Sequence, residues 1–250
     1  MLIEVTALML TTEKGSLSLY MQVKEILVAR IGNGEWLPGS IIPSEVNLAQ
    51  ELGVSQGTVR KAITELVESN VLTRKQGRGT FVSIHDPHRA LFHFFHITDN
   101  QGHKVLPDSR ILHCRRKQAS RKEAAKLRLA VGTKVIRIDR VRYFSAKPTM
   151  VETITLPARP FGSLGNRGKL ELPNTLYELY EKQYGITIHS AEEQLRAVAA
   201  SRHDAKTLNL EAGTPLLEIE RVALTLDKTP VELRISRCST ENHHYQNTIF

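Results

Sequence analysis

The sequence predicts an α+β chain: an N-terminal winged helix-turn-helix, then an antiparallel-sheet domain with an internal pseudo-repeat. Three observations carry this. Three helical patterns open the chain, and the third is followed by a short basic hairpin. From residue 109 onward β-rich runs dominate. Residues 120–141 also align without a gap on residues 201–222, with ten identities in 22 positions.

The first helix is marked by Leu19, Val23, Ile26, Leu27 and Ile31 at helical spacing, and "GEWLPGS" (34–40) ends it. A short second helix follows Pro43, with Ser44 as N-cap and Leu48, Ala49 and Leu52 facing inward. Gly53 supplies the turn and Ser55 caps the third helix. There Val59, Ala62, Ile63, Leu66 and Val67 form the apolar stripe, while Gly57, Thr58, Lys61 and Thr64 face outward. "VLTRK" and "GTFVS", joined by Gln76–Gly79, read as a hairpin.

A helix that enters a DNA major groove about 12 Å wide needs small or slender hydrogen-bonders at its start. Ser55, Gln56 and Thr58 meet that need, with Arg60 and Lys61 placed for phosphates. The Ser44 cap adds a helix N-terminus. Arg74, Gln76, Gly77 and Arg78 make a basic wing tip whose glycines allow close approach of backbone. The competing reading is a helical hairpin that packs on another protein, which leaves the basic wing unexplained.

Charge sharpens this. Residues 1–84 hold 8 basic and 8 acidic residues, so the whole net charge of +8 lies in the remainder. Residues 110–142 alone carry 12 basic and 2 acidic side chains. Local geometry in the head, not bulk charge, therefore carries the nucleic-acid reading. No run approaches a membrane span, and "MLIEVTALMLTTEKG" has neither a basic start nor a cleavage site, so a cytoplasmic protein is expected. Two cysteines, Cys114 and Cys238, have no metal-ligand spacing. His85, His88, His93, His96 and His103 fall in or near a polar linker without a supporting carboxylate or thiol, so no metal and no cofactor are expected.

In the repeat, each copy starts with a capping box (Ser120 with Glu123, Ser201 with Asp204), then a short helix, a Gly-Thr turn and a strand. A second strand follows a Pro-containing turn, 148–156 in one copy and 230–238 in the other. Further strands precede the copies at 109–117 and 186–198, and a helix over 174–185, capped by Asn174, lies between them. The expected result is about six antiparallel strands, helices on one side and a pseudo-two-fold axis.

Residues 19–82 are similar, nearly end to end, to the DNA-binding domain of GntR-type bacterial transcription regulators. The marks are the Gly-x-Trp-x-Pro-Gly turn, Pro-Ser-Glu, Gly-Val-Ser-x-x-Thr-Val-Arg and the Gly-x-Gly-Thr-Phe-Val wing. "RVRYFSAKPTMVETITLP", "TLYELYEKQYGI" and "LEAGTPLLEIERVALTLDKTPVEL" resemble the UTRA effector-binding domain of the HutC branch, of chorismate lyase-like fold. The resemblance implies a winged helix-turn-helix over 15–84, a linker and domain entry over 85–108, and a UTRA effector-binding and dimerisation domain over 109–245. It also implies a homodimer on a palindromic double-stranded DNA operator, acting as a repressor under control of a small anionic effector. Val46 departs from the family, which usually has a DNA-contacting Arg after Pro-Ser-Glu; its absence should alter operator preference.

Family pocket positions fall on Arg140, Arg142, Glu152, Thr175, Tyr177, Glu232 and Cys238. Arg140 and Arg142, two apart on a strand, share a face and can clamp an anion, with the Thr175 hydroxyl as a further donor. Glu152 and Glu232 would accept from the effector's other end. The alternative is a structural ion pair between Arg140 and Glu152, repeated by Arg221 and Glu232. Cys238 replaces a Tyr common in relatives, which points away from amino-sugar phosphates, and a redox role for either thiol has no support in the sequence. The functional runner-up is a lyase-like enzyme fused to the head, but no nucleophile–base arrangement can be placed.

Overall fold

The computed structural model describes residues 18–69, 71–83, 94–103, 106–164 and 172–247. The chain divides into two units at residues 84/85.

The first unit is built from α1 (Leu19–Gly32), α2 (Glu45–Leu52), α3 (Gln56–Glu68), β1 (Leu72–Lys75) and β2 (Gly79–Val82). Ser44 and Ser55 cap α2 and α3 by accepting from the amides of Asn47 and Thr58. Gly53 joins the two helices at φ 64°, a left-handed turn that suits glycine. Val23, Leu27, Leu48, Val59, Ala62, Ile63 and Leu66 form the buried core predicted by the helical spacing. The wing is antiparallel, and Ile41 bridges to Phe81 beside it. Gly79 is needed there: its φ is 107°, and a Cβ would lie 3.0 Å from Ile41 Cδ1.

The second unit contains β3 (Ile97–Asp99), β4 (Asp108–Gln118), α4 (Arg121–Lys126), β5 (Lys134–Phe144), β6 (Lys147–Pro157), α5 (Leu176–Tyr184), β7 (Ser190–Ala199), α6 (Arg202–Leu208), β8 (Pro215–Leu224), β9 (Pro230–Cys238) and β10 (His243–Tyr245). Six strands form one antiparallel sheet in the order β4-β5-β6-β9-β8-β7. The two repeat copies thus meet where β6 pairs with β9, as a pseudo-two-fold requires. Both capping boxes are present. β3 and β10 form a separate two-stranded ribbon.

The expectation of helices on one side of the sheet is corrected. Leu176, Leu179 and Tyr180 of α5 pack with Ile136, Ile138, Ile154 and Leu156. Ala124 of α4 packs with Val135, and Ala205 and Leu208 of α6 with Leu216. Val135 and Ile136 are neighbours on β5 and point to opposite faces, so α5 covers one face while α4 and α6 cover the other. The cause is visible in β5 itself, where apolar residues occupy both faces and each needs a cover.

Two smaller differences follow from local partners. β7 starts at Ser190, not 186, because Ile188 is drawn into the α5-side core before pairing begins. Thr175, not Asn174, is the N-cap of α5, and its side chain makes no capping bond. The Asn174 side chain is engaged elsewhere, accepting from Ser109 Oγ at 2.6 Å.

Candidate functional site

In the head, Ser55, Gln56, Arg60, Arg74, Gln76, Gly77 and Arg78 are all exposed, as is Ser44 at the start of α2. The Ser55 hydroxyl lies 2.9 Å from that of Thr58, which is half-buried. Arg60 and Arg74 share one partner that the sequence candidates did not include. Glu45 accepts from Arg60 Nε at 2.8 Å and from an Arg74 amine at 3.2 Å, while Arg74 also reaches the Thr64 hydroxyl at 3.1 Å. One carboxylate on α2 thus links the recognition helix to the wing. Lys61 is exposed too, and its ammonium sits 3.8 Å from the centre of the Tyr20 ring on α1. Val46, on the second residue of α2, is exposed.

The second candidate site lies on the α5 face of the sheet. Residues two apart on β5 and β9 share that face, so Arg140, Arg142, Glu232 and Arg234 converge with Glu152 of β6. Arg140 is 1 % and Arg142 2 % exposed. Arg140 Nε donates to Glu152 Oε2, and Ser236 Oγ donates to Oε1 at 3.0 Å. Burial alone would raise the Glu152 carboxyl, but Arg140, Arg234 and Arg142 hold it well below the usual range. Glu232 is fully engaged: it accepts Nε and an amine of Arg234, both at 2.9 Å, and the hydroxyls of Tyr177 and Tyr180 at 3.1 and 2.8 Å. It therefore has little capacity left for a ligand in this arrangement.

Arg142 differs from its neighbours. Its nearest carboxylate oxygen, on Glu152, is 3.7 Å away and already taken by Arg140. Its amines reach the carbonyls of Asn174 and Pro107 at 3.4 and 3.3 Å, and its buried Nε has no hydrogen-bond partner among the described residues. Burial, then the like charge of Arg140, lowers its pKa to about 9, so it is charged at neutral pH. Thr175 points its hydroxyl at Glu178, 3.1 Å away, and not into a capping bond. Burial, then Glu232, raises Tyr177 to about 12. Cys238 is buried beside Met150, and burial pushes its thiol up to about 12. A thiol so held is protonated at neutral pH, which disfavours thiolate chemistry at this position.

The expected repetition of the ion pair is also corrected. Arg221, the mate of Arg140, pairs with Glu193 at 2.6 Å and donates to the Phe94 carbonyl. On the β8–β9 hairpin Arg221 stands opposite Arg234, while Glu232 stands opposite Ala223, so the pairing is one pleat away from that expected. Phe95, His96, Ile97 and Tyr245 close over the polar cluster and leave a cavity of about 20 Å³, little more than the room one water needs. Arg234, Tyr180 and Ser236 were absent from the sequence candidates. The signal for Arg234 and Ser236 was the period-two run Glu232, Arg234, Ser236 on one strand face, and for Tyr180 its place three residues after Tyr177 on one helix.

Of the histidines in and near the linker, His85, His88 and His93 lie outside the described residues. His103 bonds to Asp99. Among the described residues no cluster has metal-binding geometry, and no helix is long and apolar enough to cross a membrane.

Comparison with known proteins covers both units of the chain. Residues 19–82 match the bacterial regulatory proteins of the gntR family, and residues 100–244 match the UTRA domain. The transcriptional repressor NagR of Bacillus subtilis is 30% identical over 221 residues, covering 88% of this chain and 90% of NagR. The chain belongs to the GntR family.

Its sheet domain is a UTRA domain. Another relative, the histidine utilization repressor of Pseudomonas putida, is 28% identical over 220 residues, 87% of this chain and 86% of that protein. Among solved structures, the ligand-binding domain of a Bordetella bronchiseptica protein classed with the GntR regulators is 33% identical, with a TM-score of 0.57. It covers 63% of this chain and 97% of that one. PhnF from Mycobacterium smegmatis, at 20% identity and TM-score 0.53 over 93% of this chain and 99% of its own, shares the fold. This GntR-family chain is accordingly a DNA-binding transcription regulator with a domain for a small-molecule effector. Its named relatives give no support to the lyase-like alternative.

Proposed function

We propose that this regulator is a cytoplasmic homodimeric repressor that binds a palindromic operator and is released when a small anionic metabolite binds its UTRA domain. The observation that carries the reading is Arg142, a buried guanidinium whose nearest carboxylate among the described residues, Glu152 at 3.7 Å, is already engaged by Arg140. Such a charge is costly to bury unpaired, and an anion relieves the cost. In the head, Ser44, Ser55, Gln56, Thr58, Arg60, Arg74, Gln76, Gly77 and Arg78 contact DNA. Lys61 is assigned to the α1 contact with Tyr20 and only secondarily to phosphate. In the effector site, Arg142 and Arg140 take the anion, Glu152 orients both, and Thr175, Tyr177, Glu232 and Cys238 shape the rest. The domain extents proposed are 15–84, 85–108 and 109–245.

NagR and the histidine utilization repressor, both repressors by name, support the direction of control. The test is a thermal-shift screen of the full chain against a panel of anionic metabolites, followed by operator release measured by fluorescence anisotropy. A ligand at about 100 times its Kd should stabilise by about 2.7 kcal/mol. Arg142→Ala should keep DNA binding and lose release. Release that persists unchanged in that variant would place the anion elsewhere.

A further inference from the structure

The charge balance of the buried site names the class of its ligand. Among the described residues, three carboxylates on the α5 face are each matched to a guanidinium: Glu152 to Arg140, Glu232 to Arg234 and Glu193 to Arg221. Arg142 is the fourth guanidinium and completes a net excess of one positive charge. Asp108, the other acid that acts on Arg142, is exposed and so screened by solvent. Two further facts limit what can enter. Glu152 lies 3.7 Å from Arg142, so any anion on Arg142 also feels that carboxylate. Arg142 is 2% and Glu152 4% exposed, so little water can screen a second charge there.

We propose that the UTRA site of this protein selects a monoanion, of carboxylate type, against a phosphate dianion. The inference rests on the proposed effector site and adds its charge specificity. A monoanion on Arg142 brings the buried cluster to neutrality. A dianion leaves one excess negative charge near Glu152 in a medium where charge interactions are several-fold stronger than in water.

Acetate and inorganic phosphate are the probes, applied to the full chain at constant ionic strength made up with chloride, with thermal unfolding as the readout. Phosphate passes from monoanion to dianion across neutrality, whereas acetate stays a monoanion between pH about 6 and pH about 8. The acetate series therefore controls for protonation changes at other groups near the site, among them His96, which precedes β3, and His243 and His244 on β10. Acetate should stabilise equally at both pH values. The apparent Kd for phosphate should rise about tenfold from the lower to the higher pH, since the second charge would sit within about 4 Å of Glu152. Glu152→Gln raises the excess to two positive charges and should abolish or reverse that preference.

If phosphate binds as well or better at the higher pH while Arg142→Met loses both responses, the charge inference fails and the site stands. If wild type responds to neither anion, or Arg142→Met keeps both responses, the site reading itself fails.

Discussion

Arg60 and Arg74 of the head share Glu45 at 2.8 and 3.2 Å, with 60% and 44% of their side chains in solvent. Arg140 and Arg142 of the UTRA domain share Glu152, with 1% and 2% in solvent. Each region sets two arginines against one carboxylate, but burial differs, and Arg142 stands 3.7 Å from Glu152 where both head arginines hydrogen-bond Glu45. In water the pairing contributes at most about 1 kcal/mol, and the guanidinium can exchange Glu45 for a phosphate at small cost. Away from water each charge depends on its partner, and an unmatched one is a standing penalty that a ligand can remove. Substitutions in the head should therefore change binding with little effect on stability, whereas those in the buried site should change stability, with a sign set by which charge is removed.

The strongest test of that difference is Glu152→Leu. It leaves Arg140 unmatched beside the like charge of Arg142 and takes the Ser236 hydroxyl's acceptor, so a loss of about 3–5 kcal/mol is expected in urea unfolding. The same pair predicts a pH dependence. The Glu152 pKa is depressed in the folded state. Its contribution is therefore fully present above the unfolded carboxylate value of about 4.3 and is lost as pH falls below it. Wild type should lose stability on acidification through that window, and Glu152→Gln should show a flatter profile there.

Next in size, and of opposite sign, is Arg142→Met. Removing the unmatched guanidinium relieves the buried excess charge, and Met fills much of the volume. The free protein should be unchanged or stabilised by about 1 kcal/mol, with the response to acetate gone. A loss comparable to that of Glu152→Leu would show that Arg142 is paired in solution and that the contrast with the head is wrong.

These two opposite signs come from features of unequal legibility. The gapless repeat implied the pseudo-two-fold, and the shared face of Arg140 and Arg142 followed from their spacing. The partners of the second copy did not follow. A hairpin's register depends on its turn, and a slip of one pleat moves a side chain to another neighbour. The β5–β6 turn is formed by Ser145 and Ala146, both at positive φ without a glycine, whereas the β8–β9 connection is longer. Arg221 accordingly faces Arg234 and not Glu232. Glu45 was hidden for a related reason: it meets Arg74 across 29 residues of chain, a contact no local pattern encodes.

In the head, Glu45→Ala should cost less than about 1 kcal/mol of stability, because both pairs are largely exposed. Its larger effect should be on recognition. With Arg60 and Arg74 released from a common anchor, non-specific DNA affinity should hold or rise while operator discrimination falls, as measured by anisotropy on operator and scrambled duplexes. Parallel loss on both duplexes would indicate a damaged head and would remove Glu45 from any positioning role.

Lys61→Ala should have the smallest effect and separates the two exposed cations of α3. Lys61 lies over the Tyr20 ring at 3.8 Å, whereas Arg60 is 60% exposed on the flank and held only by Glu45. An exposed cation–π contact contributes about 0.5–1 kcal/mol, so stability should fall by no more than that. The salt dependence of operator binding is the discriminating measurement, since each phosphate contact adds about one unit to its slope. Arg60→Ala should reduce the slope by about one, and Lys61→Ala should leave it unchanged. An equal reduction in both would mean that Lys61 leaves Tyr20 for phosphate when DNA arrives, so that even a cation packed on the head's own surface is available for exchange, as the charges buried in the UTRA domain are not.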